Sequence, residues 1–386
     1  MKKIISILGS TGSIGNSTLN IIDTKKTLFK IYLLSANKNF KAICKQIRKY
    51  KPIYFVIVDK DTFIKVKKKI KSKKTKIIND FTQINLRNKT DITVSAIPGI
   101  AGLSPTIHMI KYSKKILLAN KESIICGWDL IKKDAYKNNT KLIPVDSEHF
   151  SILKLIENHN HKEIKKIYLT ASGGPFLNYN INDLKKIKPK DAVKHPKWNM
   201  GKKISVDSST LMNKLLEMIE AQKLFNLPKE KLDIIIHPES LVHAIVEFKN
   251  GLSKFIYHET SMKIPIANAI FDDQLSIDDF YKIKKNNNML KNLTFKKVDK
   301  NIFPIIKLKN KVNKYSSSPI IINAANEVLV DQFLKKKIHF LTITEIIRTI
   351  MNNRNYSKYA VRRPKNIKEI NFIDLWARKT TLELIY

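Results

Sequence analysis

Cysteine is nearly absent from this chain of 386 residues: Cys44 and Cys126 stand far apart, without metal-type spacing. Neither a disulfide framework nor a zinc site is indicated, and a reducing cytoplasm fits. No run approaches the ~18–20 consecutive apolar residues of a membrane-spanning helix, so no membrane is expected as a partner. The opening MKKIISILG has lysines and an apolar stretch but lacks a longer apolar core and a small-residue cleavage site. It reads as a buried first strand rather than a signal peptide. No internal repeat is found. Acidic residues are scarce, 33 against 72 Lys and Arg, for a formal net charge of +39. Such an excess fits a polyanionic partner. The lysines, however, are spread along the whole chain among asparagine and isoleucine, as in KKKIKSKK, KIKKNNN and LKNKVNKY. That is the drift of an AT-rich coding genome. A solvated lysine surface is therefore favoured, with no specific nucleic-acid partner and polyanion binding at low salt as a side effect.

What is present begins with size. A chain of this length suggests two or three domains, and 43% hydrophobic with 27% charged residues is a soluble globular composition. Lys2 to Leu8 is a short apolar run, followed at once by GSTGSIG at 9–15 and a helical pattern through Leu19 and Ile22. Strand, glycine turn and helix make a dinucleotide-binding opening, in which the backbone approaches a pyrophosphate at the helix N-terminus. The spacing is G-x-x-G-x-x-G, and a plain strand-to-helix turn is the competing reading. The second strand, Phe29 to Ser35, runs into Ala36, Asn37, Lys38 and Asn39 with no carboxylate. A site without that acid accepts the extra 2′-phosphate, so NADP is favoured over NAD.

Further strands are expected at Tyr54 to Val58, Ile92 to Ala96, Lys115 to Leu118 and Leu142 to Val145, alternating with amphipathic segments. This alternation predicts a mostly parallel sheet covered by helices. At the strand ends lie AIPGIAG (96–102), LLANKES (117–123) and PVDSEH (144–149). Asp146 and Glu148 are two apart on a segment read as extended, so their carboxylates point the same way. An oxygen-only pair suits magnesium or manganese; two solvated loop acids are the alternative. Another strand, Ile164 to Thr170, leads to ASGGPF at 171–176. From Ser172 to Lys202 there is little periodicity, which fits a mobile lid or a structural surface loop.

The stretch His195 to Ala221, HPKWNMGKKISVDSSTLMNKLLEMIEA, is the most distinctive. It begins irregularly, alternates at Ile204 to Asp207, and continues as an unbroken helical pattern. Ser208, Ser209 and Thr210 stand where a helix start wants side-chain oxygens. Asn213, Lys214 and Glu217 share one face of the helix. Hydroxyls, an amide and a lysine at a helix N-terminus suit a phosphate, and an ordinary capped helix with a Lys-Glu pair is the alternative. Beyond it, strands are expected at Leu232 to Ile236, His243 to Phe248 and Leu252 to His258, the last two joined by an Asn250-Gly251 hairpin. Lys/Asn-rich sequence around Asp272 to Asn301 reads as a linker, and INAANEVLVDQFL with the segment after Thr342 as a small helical bundle.

GSTGSIG, LLANKES, PVDSEH, SGGPF, HPKWNMGKKISVDSSTLMNK, IHPES and NAANE together carry a resemblance to the 1-deoxy-D-xylulose 5-phosphate reductoisomerase family over nearly the whole chain. The resemblance implies an α/β protein with an N-terminal Rossmann-like NADP-binding domain (1–146), an α+β catalytic domain with a mobile lid (147–271), a linker (272–300) and a C-terminal helical bundle (301–386). It implies NADPH and Mg2+ or Mn2+, with Co2+ a further candidate, and conversion of 1-deoxy-D-xylulose 5-phosphate to 2-C-methyl-D-erythritol 4-phosphate. The implied metal ligands are Asp146, Glu148 and Glu217. Ser147, Glu148 and Glu217 face the substrate, and Ser172, Ser208, Asn213 and Lys214 hold its phosphate. His195, Trp198 and Met200 form the lid, and His243 lies near the substrate; these four, with Lys121 and Glu148, make the catalytic set. Thr11, Gly12, Ser13 and Ile14 match the nucleotide phosphate loop, Ala36, Asn37, Lys38 and Asn39 the adenosine ribose, and Asn120, Lys121, Glu122 and Gly201 the rest of the cofactor site. At Asn37 the family often has glycine; asparagine tolerates positive φ better than most residues, so cofactor binding is expected to survive. The resemblance implies a homodimer; the lack of a transit peptide is the sign of a bacterial, cytoplasmic protein, with a mature plastid form as the alternative. The competing readings are a related NADPH-dependent reductase of another phosphorylated carbonyl compound and a basic nucleic-acid-binding protein that kept a nucleotide fold.

Overall fold

The computed structural model describes residues 2–85, 89–198, 200–281 and 292–386. Asn199 of the expected lid and 282–291 of the expected linker lie outside them. The chain packs into two compact units: Met1–Ser123 with Trp128–Phe150 and Met262–Lys285, and Ile124–Gly127 with Ser151–Ser261 and Asn286–Tyr386.

The first unit holds a seven-stranded sheet of β1 (Lys3–Leu8), β2 (Phe29–Ala36), β3 (Tyr54–Ile57), β4 (Lys76–Ile78), β5 (Thr90–Ser95), β6 (Ser113–Leu118) and β7 (Lys141–Pro144), in the order β4-β3-β2-β1-β5-β6-β7. Every pairing is parallel. Strands buried on both faces need near-continuous apolar sequence, and β1 supplies it, with Ile5, Ile7 and Leu8 fully buried. Leu8, Leu33, Val56, Ile78, Phe81 and Met109 form one apolar cluster. The chain runs outward from β1 to β4 and then crosses to β5. The order therefore reverses between β1 and β5, the place where open sheets bind ligands. Strand β4 was not expected, because three residues inside lysine-rich sequence carry no readable period.

Packing departs from the expected division at three points, the first being Ile124–Gly127, which group with the second unit. Residues 147–150 group with the first unit, and the helix Lys263–Phe271 returns to it. Phe271 meets the Phe29 ring edge-on at 5.6 Å, and Lys115 Nζ donates to Ala269 O at 2.8 Å. The start of the expected linker is docked as well: Phe280 is buried and Asp279 pairs with Lys25 at 3.0 Å. Its end is anchored in the second unit, where Lys296 and Ile236 exchange backbone hydrogen bonds of 2.8 and 2.9 Å.

The second unit has a four-stranded sheet of β8 (Ile164–Ala171), β9 (Leu232–Ile236), β10 (Val242–Phe248) and β11 (Ser253–Tyr257), ordered β11-β10-β8-β9. β8 and β9 are parallel, while β10 is antiparallel to β8 and β11. Gly251, at φ +88°, turns the expected hairpin. The helices Lys202–Ser209 and Met212–Phe225 precede β9. The C-terminal helices include Ser318–Leu334, Thr342–Met351 and Ile367–Glu383. Ser318–Leu334 has buried residues around its whole circumference, which marks a central helix rather than a surface one. Arg378 ties it to Ile367–Glu383 by pairing with both Glu327 and Asp374.

Candidate active site

In the first unit the glycine loop is built for close backbone approach. Gly9 has φ +82°, and a Cβ there would lie 2.6 Å from Ala96 O. A Cβ on Gly15 would meet Gly9 O at 2.4 Å. Gly12 begins the helix Ser13–Thr24 with no side-chain cap, and the first intrahelical bond is Asn16 N to Gly12 O. The N–H groups of Ser13 to Gly15 therefore precede the helical ladder, beside half-buried Thr11 and Ile14 and exposed Gly12 and Ser13. Uncapped donors at the positive end of a helix dipole, with no side chain in the way, suit a pyrophosphate. After β2, Ala36 is buried and Asn37, Lys38 and Asn39 are exposed. Asn37 does not adopt the positive φ that motivated comparing it with glycine. Asn39 caps the next helix, accepting from Ala42 N at 3.1 Å.

Asn120 is a buried tie between two of the expected loops. Its Oδ1 accepts from Ser123 N, capping the helix Lys121–Lys137, while its Nδ2 donates to Gly99 O at 3.0 Å and to Ile97 O. Lys121 and Glu122 are both buried. Lys121 Nζ lies 3.0 Å from Asp146 Oδ2. The acidic segment is not extended, as the sequence reading had it. Phe150 N donates to Asp146 O at 2.8 Å, so Asp146 opens the helix Ser147–Ile156 and Glu148 sits in its first turn. Both carboxylates thus gain from the helix dipole. Ser147 Oγ donates to Glu148 Oε2 at 2.7 Å. Burial alone would raise the Asp146 carboxyl, but the Lys121 ammonium and the His149 imidazole hold it far below the usual carboxylate range.

In the second unit the expected unbroken helix is two helices. Lys202–Ser209 is helical, including the stretch read as alternating, and Met212–Phe225 follows. Between them Leu211 takes φ +60°, a left-handed angle that a bulky residue adopts only when its surroundings enforce it. Ser208 and Ser209 therefore end the first helix rather than start the second. Of the three hydroxyl residues, Thr210 alone reaches the new helix, accepting from Met212 N at 3.2 Å. Ser208 and Asn213 are half-buried and Lys214 is buried. Glu217, 1% exposed, accepts from both Asn213 Nδ2 and Lys214 Nζ.

The residues of the expected lid have a defined hydrogen-bond logic. His195 Nδ1 accepts from Lys197 N at 3.1 Å and Trp198 N at 2.9 Å. An amide only donates, so in the neutral ring the proton sits on Nε2. Nε2 lies 2.9 Å from Ser172 Oγ, which also accepts from Gly174 N at 3.0 Å. The Ser172 hydroxyl proton is then left to donate elsewhere. Burial, then the Lys214 charge, lowers His195 to about 4, so it is neutral at pH 7. Trp198 meets the His243 ring edge-on at 6.0 Å. His243 stacks on His258 at 3.8 Å and donates through Nε2 to His258 O at 3.2 Å. Burial, then the neighbouring His258, pushes His243 well below the usual imidazole range. Met200 is half-buried, and exposed Gly201 opens the helix Lys202–Ser209. Sequence reasoning missed His258, whose place beside His243 comes from the β10–β11 register rather than from any local motif.

Asp146 and Glu148 belong to the first unit and Glu217 to the second. Each offers carboxylate oxygens, the ligand type of magnesium and manganese sites. A parallel-sheet unit with a phosphate cradle at its switch point, and an α+β unit carrying a buried lysine among hydroxyls, define a dinucleotide-dependent oxidoreductase acting on an anionic substrate. Comparison makes this specific. Residues 5–127 match the family described as 1-deoxy-D-xylulose 5-phosphate reductoisomerase, 142–225 its C-terminal domain, and 258–380 the DXP reductoisomerase C-terminal domain. A 1-deoxy-D-xylulose 5-phosphate reductoisomerase of Pelagibacter ubique (strain HTCC1062) is 47% identical over 378 residues, 96% of each chain. One from Clostridium novyi (strain NT) is 40% identical over 374 residues, 95% of each. Among solved structures, a DOX-P reductoisomerase in complex with NADPH, fosmidomycin and magnesium superposes with a TM-score of 0.92 at 32% identity, over 99% of this chain and 98% of that one. The Zymomonas mobilis enzyme in complex with NADPH gives 0.88 at 31% identity, over 100% and 99%. The chain belongs to the 1-deoxy-D-xylulose 5-phosphate reductoisomerase family.

Proposed function

We propose that this chain converts 1-deoxy-D-xylulose 5-phosphate to 2-C-methyl-D-erythritol 4-phosphate, using NADPH and a divalent cation, in the non-mevalonate route to isoprenoid precursors. The observation that carries this is the near-full-length match to reductoisomerases. When bound, NADPH supplies the hydride, and Mg2+ or Mn2+, with Co2+ a third candidate, supplies Lewis-acid stabilisation as a carbon–carbon bond breaks and reforms.

The residues take the following roles. Asp146, Glu148 and Glu217 hold the cation, with Ser147 and Glu148 facing the substrate backbone. Lys121 keeps Asp146 ionised, and so ready to ligate, across the neutral range. Ser208, Asn213, Lys214 and the donor-directed hydroxyl of Ser172 hold the phosphate, whose fixed position orients the distant reacting carbons. His195, Trp198 and Met200 cover the substrate and exclude water. His243, neutral, offers its Nδ1 as an acceptor, since Nε2 donates to His258 O. Thr11 to Ile14 bind the nucleotide phosphates, Ala36 to Asn39 the ribose side, and Asn120 to Glu122 with Gly201 the nicotinamide side. Asn120 acts there by holding the 97–102 loop. The functional division remains 1–146, 147–271, 272–300 and 301–386, and the protein works as a cytoplasmic homodimer. No helix among the described residues is long and apolar enough to cross a membrane.

Product analysis tests this reading. Carbon NMR of the product from the phosphorylated ketose and NADPH is expected to show a branched skeleton. A straight-chain alcohol would instead identify a simple reductase, and the rearrangement would be ruled out.

A further inference from the structure

We propose that Asp207 and Asn326 are positioning residues for the phosphate grip, so that one side chain of the C-terminal bundle, Asn326, sets substrate affinity from a distance. This rests on the reading of Ser208 as a phosphate contact. Asp207 immediately precedes Ser208 in the last turn of the helix Lys202–Ser209, and its carboxylate is 1% exposed. Asn326 Nδ2, on the central helix Ser318–Leu334, donates to Asp207 Oδ1 at 2.8 Å. Lys203 pairs with Oδ2 at 2.8 Å from one turn back. A buried carboxylate must be paired to remain in place. Lys203 lies on the same helix as Asp207, whereas Asn326 fixes that helix against a separate element.

Three further contacts show what this fixes. Thr210 Oγ1 donates to Asp207 O at 3.2 Å and accepts from Met212 N. The backbone of Asp207 is thereby linked to the left-handed break that aims Asn213 and Lys214. On the other side Gly174, at φ +62°, lies so close that a Cβ would come within 3.1 Å of Ser208 O and Ser209 Cα. The Ser208 turn is thus clamped between the loop carrying Ser172 and the helix carrying Asn326. Asn326 is also an uneconomical choice for packing alone. It is fully buried, and its Oδ1 has no hydrogen-bond partner among the described residues. A buried unpaired carbonyl costs about 1–3 kcal/mol, and an isosteric leucine avoids that cost. What leucine lacks is the donor to Asp207.

The test is steady-state kinetics of the full-length enzyme with NADPH, Mg2+ and the phosphorylated ketose. Asn326→Leu keeps the volume and removes the donor; Asn326→Ala is the second variant should the first not fold. Asn323→Ala is the control, since Asn323 is equally buried on the same helix but bonds Glu327. The expected result is a KM for the ketose raised about tenfold in the Asn326 variants, with kcat and the NADPH KM changed less than about threefold, as for lost binding of the substrate alone. Asn323→Ala is expected to change melting temperature and leave KM near wild type. Ser208→Ala, measured alongside, separates the two ways of failing. If Ser208→Ala raises KM and the Asn326 variants do not, the inference is overturned and the phosphate reading stands. If Ser208→Ala leaves KM unchanged, both fall.

Discussion

At the scale of single residues, His195 shows how hydrogen-bond direction decides chemistry. Two backbone amides point at its Nδ1, so protonating the ring at that nitrogen means breaking the turn at Lys197 and Trp198. Burial and Lys214 lower its pKa from the usual 6.5 to about 4. The sign follows from linkage: between pH 6.5 and about 4 the unfolded chain takes up a proton that the folded chain refuses. The His195 contribution to stability is therefore whole above pH 6.5, declines as the pH falls to about 4, and changes no further below. Melting temperatures of wild type and His195→Asn should converge as the pH drops through that window. Curves that stay parallel from pH 7 to 4 would show that His195 titrates normally. The Nε2–H tautomer of His195 also makes Ser172 an outward donor, a role that its identity as a serine could not reveal.

At the scale of elements, the glycine loop and the helix pair behaved differently under sequence reading. The loop was legible because its glycines answer a steric demand. Gly15→Ala puts a methyl group 2.4 Å from Gly9 O, which is backbone and cannot swing aside. That substitution should raise the NADPH KM at least about tenfold while the ketose KM moves little; unchanged NADPH affinity would remove the cradle from the account. The helix pair was not legible. Lys202 to Phe225 contains no glycine or proline to punctuate it, and the break falls on Leu211, a residue that propensity assigns to helix interiors. The break is a single left-handed residue at φ +60°, braced by Thr210, which accepts from Met212 N and donates to Asp207 O, with no glycine to announce it. Strand β4 escaped notice for being short, and the Asp146 segment was misread because two acids at i and i+2 look alike on a strand and at a helix entrance. The strand alternation, the Asn250-Gly251 hairpin and the motif-bearing loops were readable, since each depends on nearby residues. His258 beside His243, and Asn326 beside Asp207, join positions 15 and 119 residues apart; no local pattern encodes them.

At the scale of the whole molecule, the charge of +39 distracts from a small acidic minority that the proposed chemistry depends on. Asp146 and Glu148 come from one unit and Glu217 from the other. Each is already matched by a nearby donor: Lys121 for Asp146, Ser147 for Glu148, and Asn213 with Lys214 for Glu217. Removing one carboxylate charge should therefore cost metal affinity without unfolding the chain. Glu217→Gln is expected to weaken Mg2+ activation by at least about 10- to 100-fold, the loss seen even when a residue that merely orients a metal ligand is removed, with the circular dichroism spectrum unchanged. Wild-type Mg2+ dependence in that variant would take Glu217 out of the ligand set.

The most direct measurement of the central claim is NADPH absorbance in a single cuvette of purified protein. Adding 1-deoxy-D-xylulose 5-phosphate with Mg2+ should start a steady loss of absorbance, which excess chelator stops and fresh Mg2+ restores. An absorbance that stays flat with intact cofactor, substrate and metal all present would contradict the account.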